Sequence, residues 1–164
     1  MKMRLIFILF VSFSLNGQTT ECPCCTENHA AFDFWLGNWE VVNLDGTKAG
    51  NNTIEKLEQG CVVKESWVGK DGKNTGTSLS FYNLKTKQWE QLWVDNSGTH
   101  LKLTGNRQGN KMILSSDEFV HTDGNKYGNR ITWTNNEDGT VRQRWEVLKD
   151  KKVVSVAFDG LYKK

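Results

Sequence analysis

Proline occurs once in 164 residues, at Pro23, and histidine only three times. Beyond residue 15 no apolar run is long enough to cross a bilayer, and no long segment places apolar residues at helical spacing. Of the 21 lysines and arginines, Lys2 and Arg4 fall in a short leader, leaving 19 against 19 Asp and Glu. A near-neutral chain of this kind has no broad electrostatic footprint for nucleic acid or for an anionic membrane surface, and membrane insertion is not expected. Also missing are Gly-x-Ser-x-Gly, a phosphate-binding glycine loop and His-Glu-x-x-His, which removes the commonest routes to hydrolase, nucleotide and zinc-protease chemistry.

The chain opens with Met1-Lys2-Met3-Arg4 followed by the apolar run Leu5 to Leu15. A basic start and an apolar stretch of this length describe a secretory signal, with cleavage expected near Gly17 or Gln18. The organisation is therefore a signal peptide over 1–17, an N-terminal arm with a cysteine cluster over 18–36, and a single domain over 37–164. The expected location is secreted or periplasmic.

After the arm, short alternating runs recur about every ten residues, separated by Asp-Gly and Gly-Asn turn signals. Strands are expected at 38–44, 49–58, 61–68, 75–84, 87–95, 98–105, 110–116, 128–135, 139–148 and 152–162, with a short helix or turn over 26–36 capping one end. Short successive turns favour a meander, so the fold class is all-β: an antiparallel up-and-down barrel of about ten strands. The tryptophans set the phase, because an indole on the wet face forfeits roughly 25 cal/mol per Å² of burial. On that basis Trp39, Val41, Asn43, Val63, Glu65, Trp67, Leu79, Phe81, Trp89, Gln91, Trp93, Asp95, Ile131, Trp133, Val141, Gln143, Trp145 and Val147 point inward. Glu40, Lys64, Ser66, Ser78, Ser80, Glu90, Lys102, Thr132, Thr134, Arg142, Arg144 and Glu146 point outward.

The stretch Phe32-Asp33-Phe34-Trp35-Leu36-Gly37-Asn38-Trp39 concentrates four aromatic rings at the start of the first strand. Its Gly37-x-Trp39 resembles the hallmark of the lipocalin and calycin superfamily. With "GCVVKESW", "WEQLWVD", "NRITWT", "VRQRWE" and "FDGLY", the stretch resembles a bacterial family of unknown function typified by Phe-Asp-Phe-Trp-x-Gly-x-Trp, over about Cys25 to Tyr162. The resemblance implies a lipocalin-like barrel in which Gly37 turns the chain into the first strand and Trp39 plugs the closed end. It also implies a late basic residue over that ring, for which Arg130, Arg142 and Arg144 are candidates although the phase puts them outside. It implies no activity.

Two groups of residues carry chemistry. Glu65, Gln91, Asp95 and Gln143 share the inward phase with Trp67, Trp93, Trp133 and Trp145, a pattern that suits a pocket for a small hydrophobic or aromatic molecule with a few polar groups fixing its orientation. A packed interior with mutually bonded glutamines is the alternative, and an acid–base pair of Glu65 and Asp95 is the enzymatic one. No cofactor is expected; haem is a minor alternative, since His100 has outward parity and His121 falls in a loop. In the second group, Cys22, Cys24, Cys25 and His29 have the donors for a soft metal but not a standard zinc spacing. For an exported chain disulfides are the stronger expectation, with Cys25 paired to Cys61 and Cys22 and Cys24 left as an adjacent pair, an intermolecular link or free thiols.

Overall fold

The computed structural model describes residues 22–164, so the signal segment expected at 1–17 lies outside the described residues. Eleven strands follow one another: β1 Gly37–Asn43, β2 Lys48–Leu57, β3 Val62–Gly69, β4 Thr75–Asn83, β5 Gln88–Asp95, β6 His100–Gln108, β7 Lys111–Ser115, β8 Phe119–Val120, β9 Lys126–Asn135, β10 Val141–Lys149 and β11 Lys152–Lys163. From β1 to β7 each pairs antiparallel with the next; β7 then pairs with β9, β9 with β10, β10 with β11, and β11 returns to β1. The ring is a closed ten-stranded antiparallel barrel. The two-residue β8 lies outside it, paired only with β9.

One turn device recurs around the barrel. The side-chain oxygen of Asp45, Asp71, Asp95, Asp123 or Asp138 accepts the backbone N–H two residues on, at 2.9 to 3.1 Å. A short acidic side chain replaces the backbone acceptor there, which is the physical basis of the Asp-Gly turn signals at four of these five corners.

The aromatic opening stretch closes one end of the barrel. Thr26 caps a single helical turn, α1 (Glu27–Ala30), and a 3-10 turn, Asp33–Trp35, delivers Phe32 and Trp35 into the interior, where neither exposes any surface. Their rings stack at 4.9 Å, and Phe32 meets Trp89 at 5.6 Å and Trp133 at 5.2 Å edge-on. Trp39 Nε1 donates to the Trp35 carbonyl at 2.8 Å, tying β1 to the plug. Gly37 sits at φ +133°, a conformation that L side chains rarely adopt, at the corner where the arm becomes β1.

The cation over the Trp39 ring is Lys164, with Nζ 4.8 Å from the centroid. The three expected arginines are engaged elsewhere on the outer face. Arg130 donates twice to Glu146, Arg144 also reaches Glu146, and Arg142 makes a bidentate pair with Asp159 at 2.7 and 2.6 Å. Glu146 is thus outward as expected but buried beneath two guanidinium groups. Lys164→Ala is expected to lower stability by about 0.5–1 kcal/mol through the exposed ring it uncovers, as a denaturant melt would show.

The cysteine pairing differs from expectation. Cys24, not Cys25, bonds to Cys61, and Cys22 bonds to Cys25. A turn through Pro23, with Cys25 N–H donating to the Cys22 carbonyl at 3.1 Å, brings that pair to a Cα separation of 5.3 Å, within disulfide reach. It leaves Cys24 facing the start of β3. With every sulfur in a disulfide, the Cys22, Cys24, Cys25 and His29 set offers no thiolate to a metal. His29 is instead buried, its Nδ1 2.7 Å from Thr26 Oγ1 and its ring edge-on to Tyr82. No helix among the described residues is long and apolar enough to cross a membrane.

One strand runs in the opposite phase to that expected. On β4, Leu79 and Phe81 face out, 45% and 39% exposed, whereas Ser78 and Ser80 are buried. The ladder explains it: Ser78 lies opposite Glu65 and Trp93, and Ser80 opposite Gln91. Residues opposite each other share a face, so large indoles on the flanking strands leave β4 only small inward side chains.

Candidate functional site

Above the plug lies a polar layer, and above that a cavity. Glu65 on β3 is 5% exposed, with Oε1 accepting from Asn52 Nδ2 at 2.7 Å and Oε2 from Ser78 Oγ at 2.7 Å. The same Asn52 amide donates to Tyr162 OH at 3.1 Å, and Tyr162 OH donates to Gln143 Oε1. Five strands therefore meet in one chain of hydrogen bonds: β2, β3, β10 and β11, with Ser78 of β4 at its end. Gln91 of β5 donates to Ser80 at 2.9 Å alongside. The expectation that inward glutamines bond each other is replaced by bonds to Ser80 and Tyr162.

Burial governs the ionisation here. Removal from water raises the Glu65 carboxyl from 4.5 to about 7, against the opposing donors Asn52 and Ser78. Burial also pushes the Tyr162 phenol well above its ordinary value, with the Glu65 charge adding to the effect and the Asn52 donor opposing it. Near neutral pH the phenol stays protonated while Glu65 is poised between its two forms.

The cavity occupies about 250 Å³ and opens at the end away from the plug. Its floor is Glu65, Gln91, Gln143 and Tyr162; its walls are Trp67, Trp93, Trp145 and Phe158, with Leu101 and Ile131 between them; Asn74, Asp95 and Ala157 stand with the remaining lining. The walls are held in place by specific contacts. Trp145 Nε1 donates to the Asn129 side chain at 2.8 Å, and Trp67 meets Phe158 edge-on at 6.2 Å. Trp93 lies flat on β4 because Gly76 has no side chain: a Cβ there would come within 2.2 Å of the ring. Gly76→Ala is accordingly expected to cost about 1–3 kcal/mol by overpacking and to shift the tryptophan emission as Trp93 is pushed into the cavity.

Phe158 reaches the cavity in phase with Tyr162, opposite Trp145 of β10, and β11 becomes irregular just before it, at Ala157. The register slips against β10 between Trp145 and Glu146 and again between Val147 and Leu148. Such bulges turn side chains out of strict alternation and blunt an open edge. That edge is real, since β11 pairs with β1 only over Gly160–Lys163, and Val153, Val154 and Val156 are exposed.

Of the eight residues expected in the pocket, Glu65, Trp67, Gln91, Trp93, Asp95, Gln143 and Trp145 line this one cavity, whereas Trp133 does not. Trp133 is fully buried among Phe32, Trp35 and the core, part of the plug. Sequence reasoning missed Asn52, Ser78, Ser80, Tyr162 and Phe158. The alternation Gly50, Asn52, Ile54 was the available signal for Asn52, and volume complementarity with Trp67 and Trp93 was the signal for the serines.

The alternatives fare differently. Asp95 Oδ1 already accepts from the Ser97 N–H, the Ser97 hydroxyl and the Thr99 N–H, which hold its carboxyl below the usual range. It is a turn-former at the cavity's rim, and its Oδ1 is committed to that turn rather than to proton transfer with Glu65. His100 and His121 are both exposed; His121 stands beside Asp123, and neither enters the cavity. No group of histidine, cysteine and acidic residues suited to a metal occurs among the described residues. No protein-family model and no curated protein matches the chain. The site defines the protein physically as a closed antiparallel barrel, plugged at one end, with an aromatic-walled cavity at the other.

Proposed function

We propose that the protein is an exported carrier or receptor that binds one small hydrophobic or aromatic molecule in the barrel. The observation that carries this reading is the cavity itself, because three half-buried indoles and a phenylalanine stand around open space, with only Trp67 and Phe158 in edge-on contact. A packed barrel would bury such rings as completely as the plug buries Phe32 and Trp35. At about 250 Å³ the space lies below the roughly 300–1,000 Å³ of drug-sized sites, so the occupant is smaller than a typical drug. The basic and apolar leader together with two disulfides supports export. The plugged end with Gly37 and Trp39 supports kinship with the lipocalin-like barrels and with the Phe-Asp-Phe-Trp-x-Gly-x-Trp proteins.

The test is intrinsic tryptophan fluorescence of the mature chain, titrated with small aromatic and aliphatic compounds and with haem. Saturable quenching that weakens in a folded Trp93→Ala variant is expected. An absence of saturation with every compound, in a protein whose wall tryptophans are open to added quencher, would overturn the reading.

A further inference from the structure

The charge around the cavity is one-sided. Its lining contains two carboxyl groups, Glu65 on the floor and Asp95 at the rim, and no lysine, arginine or histidine. Lys48 and Lys70 line a neighbouring, more open recess of about 340 Å³ on the other side of Trp67, Asn74 and Phe158, and Lys48 is held by Glu40 at 3.0 Å. An anionic occupant would have no counter-charge and would face Asp95 on entry. A neutral occupant could take at most a hydrogen bond from the buried carboxyl and would leave its charge, which costs free energy to keep there, without a counter-charge.

Resting on the binding reading above, we propose that the occupant is a small organic cation, an alkylammonium or arylalkylammonium, whose charge sits between the Glu65 carboxylate and the faces of Trp67, Trp93 and Trp145. Indole rings present their negative faces to a cation, and the attraction grows when water is excluded. The floor carboxylate keeps acceptor capacity beyond Asn52 and Ser78, because each of its oxygens can take a second donor. The apolar remainder of the ligand lies against Leu101, Ile131 and Phe158.

Proton and cation compete for the same carboxylate. The groups that face Glu65 are Asn52 from β2, Ser78 from β4, and Gln91, Gln143 and Tyr162 from β5, β10 and β11. Of these only Tyr162 titrates, and burial keeps it neutral; Asp95 stays ionised at the rim. Binding of a cation of fixed charge therefore strengthens as pH rises through the range in which Glu65 ionises.

The probe is benzyltrimethylammonium, whose charge is independent of pH, set against its neutral carbon isostere neopentylbenzene and against phenylacetate, with Kd read by fluorescence and calorimetry on the mature protein. At pH 8 the cation is expected to bind about ten-fold or more tighter than either comparator. That preference is expected to collapse at pH 5 in the unaltered protein and at all pH values in Glu65→Gln. Equal or tighter binding of the neutral isostere at pH 8 overturns the cation assignment and leaves the binding barrel standing. A cation preference indifferent both to pH and to Glu65→Gln overturns the role of Glu65. Failure of all three probes to bind removes the proposal together with the pocket reading beneath it.

Discussion

Glu65→Gln is expected to stabilise the protein by about 3 kcal/mol at pH 8, by less than about 1 kcal/mol at pH 5, and not at all below pH 4. The reason is the buried carboxyl, whose ionisation is raised from 4.5 to about 7 by removal from water. Below pH 4.5 the folded and unfolded chains both hold the proton, and burial carries no ionisation penalty. Between pH 4.5 and about 7 the unfolded chain releases the proton while the folded chain retains it, so the wild-type protein loses stability as pH rises. Above pH 7 the loss is complete and constant. Glutamine keeps the shape, can still accept from Asn52 and can donate to the Ser78 hydroxyl, but it has no proton to lose. Urea melts of both proteins across this range check the claim. A constant gap between the two curves would mean that Glu65 titrates in the folded protein as it does in the unfolded chain, with water reaching the floor of the cavity. A gain in stability on removing a group from the site is also what a binding residue should show, since such groups are kept for the ligand rather than for the fold.

How far the site could be read from residues depended on which physical rule controlled each strand. Where a tryptophan sat on the strand itself, period two was decisive, and Trp67, Gln91, Trp93, Gln143 and Trp145 fell together around one space as their phase required. On β4 the rule failed because the strand carries no tryptophan. Leu79 and Phe81 are the larger apolar residues there, yet the inward volume is already taken by Trp93 over Gly76, and only Ser78 and Ser80 fit. Phase on such a strand is set by its neighbours, which a single strand's alternation does not contain. The same limit applies to the cysteines. Spacing offered three thiols to Cys61, and only the turn at Pro23 selects Cys24. Lys164 escaped notice because the cover over Trp39 comes from the last residue of the chain rather than from within a strand. The two-residue β8 carries too few residues to show any period.

Trp35→Ala is expected to cost about 4 kcal/mol, among the largest losses available to a single substitution in this barrel. Trp35 exposes no surface, stacks on Phe32 at 4.9 Å and touches Trp133 and Tyr162 at 5.3 and 6.2 Å between ring centres. Its backbone carbonyl, which accepts from Trp39 Nε1, survives the change, so the loss reports packing of the ring rather than the tie to β1. The Trp35 indole N–H is buried without a partner, and removing it slightly offsets the cavity that alanine leaves. Trp67→Ala is the informative control. Trp67 is only half-buried and faces the open cavity, so its truncation enlarges existing space instead of creating a void, and its cost should be well under half that of Trp35→Ala. Denaturant midpoints and slopes for the two variants separate plug from wall. If Trp67→Ala proved as damaging as Trp35→Ala, the cavity walls would be structural core, and the barrel's open end would hold the fold together rather than a ligand.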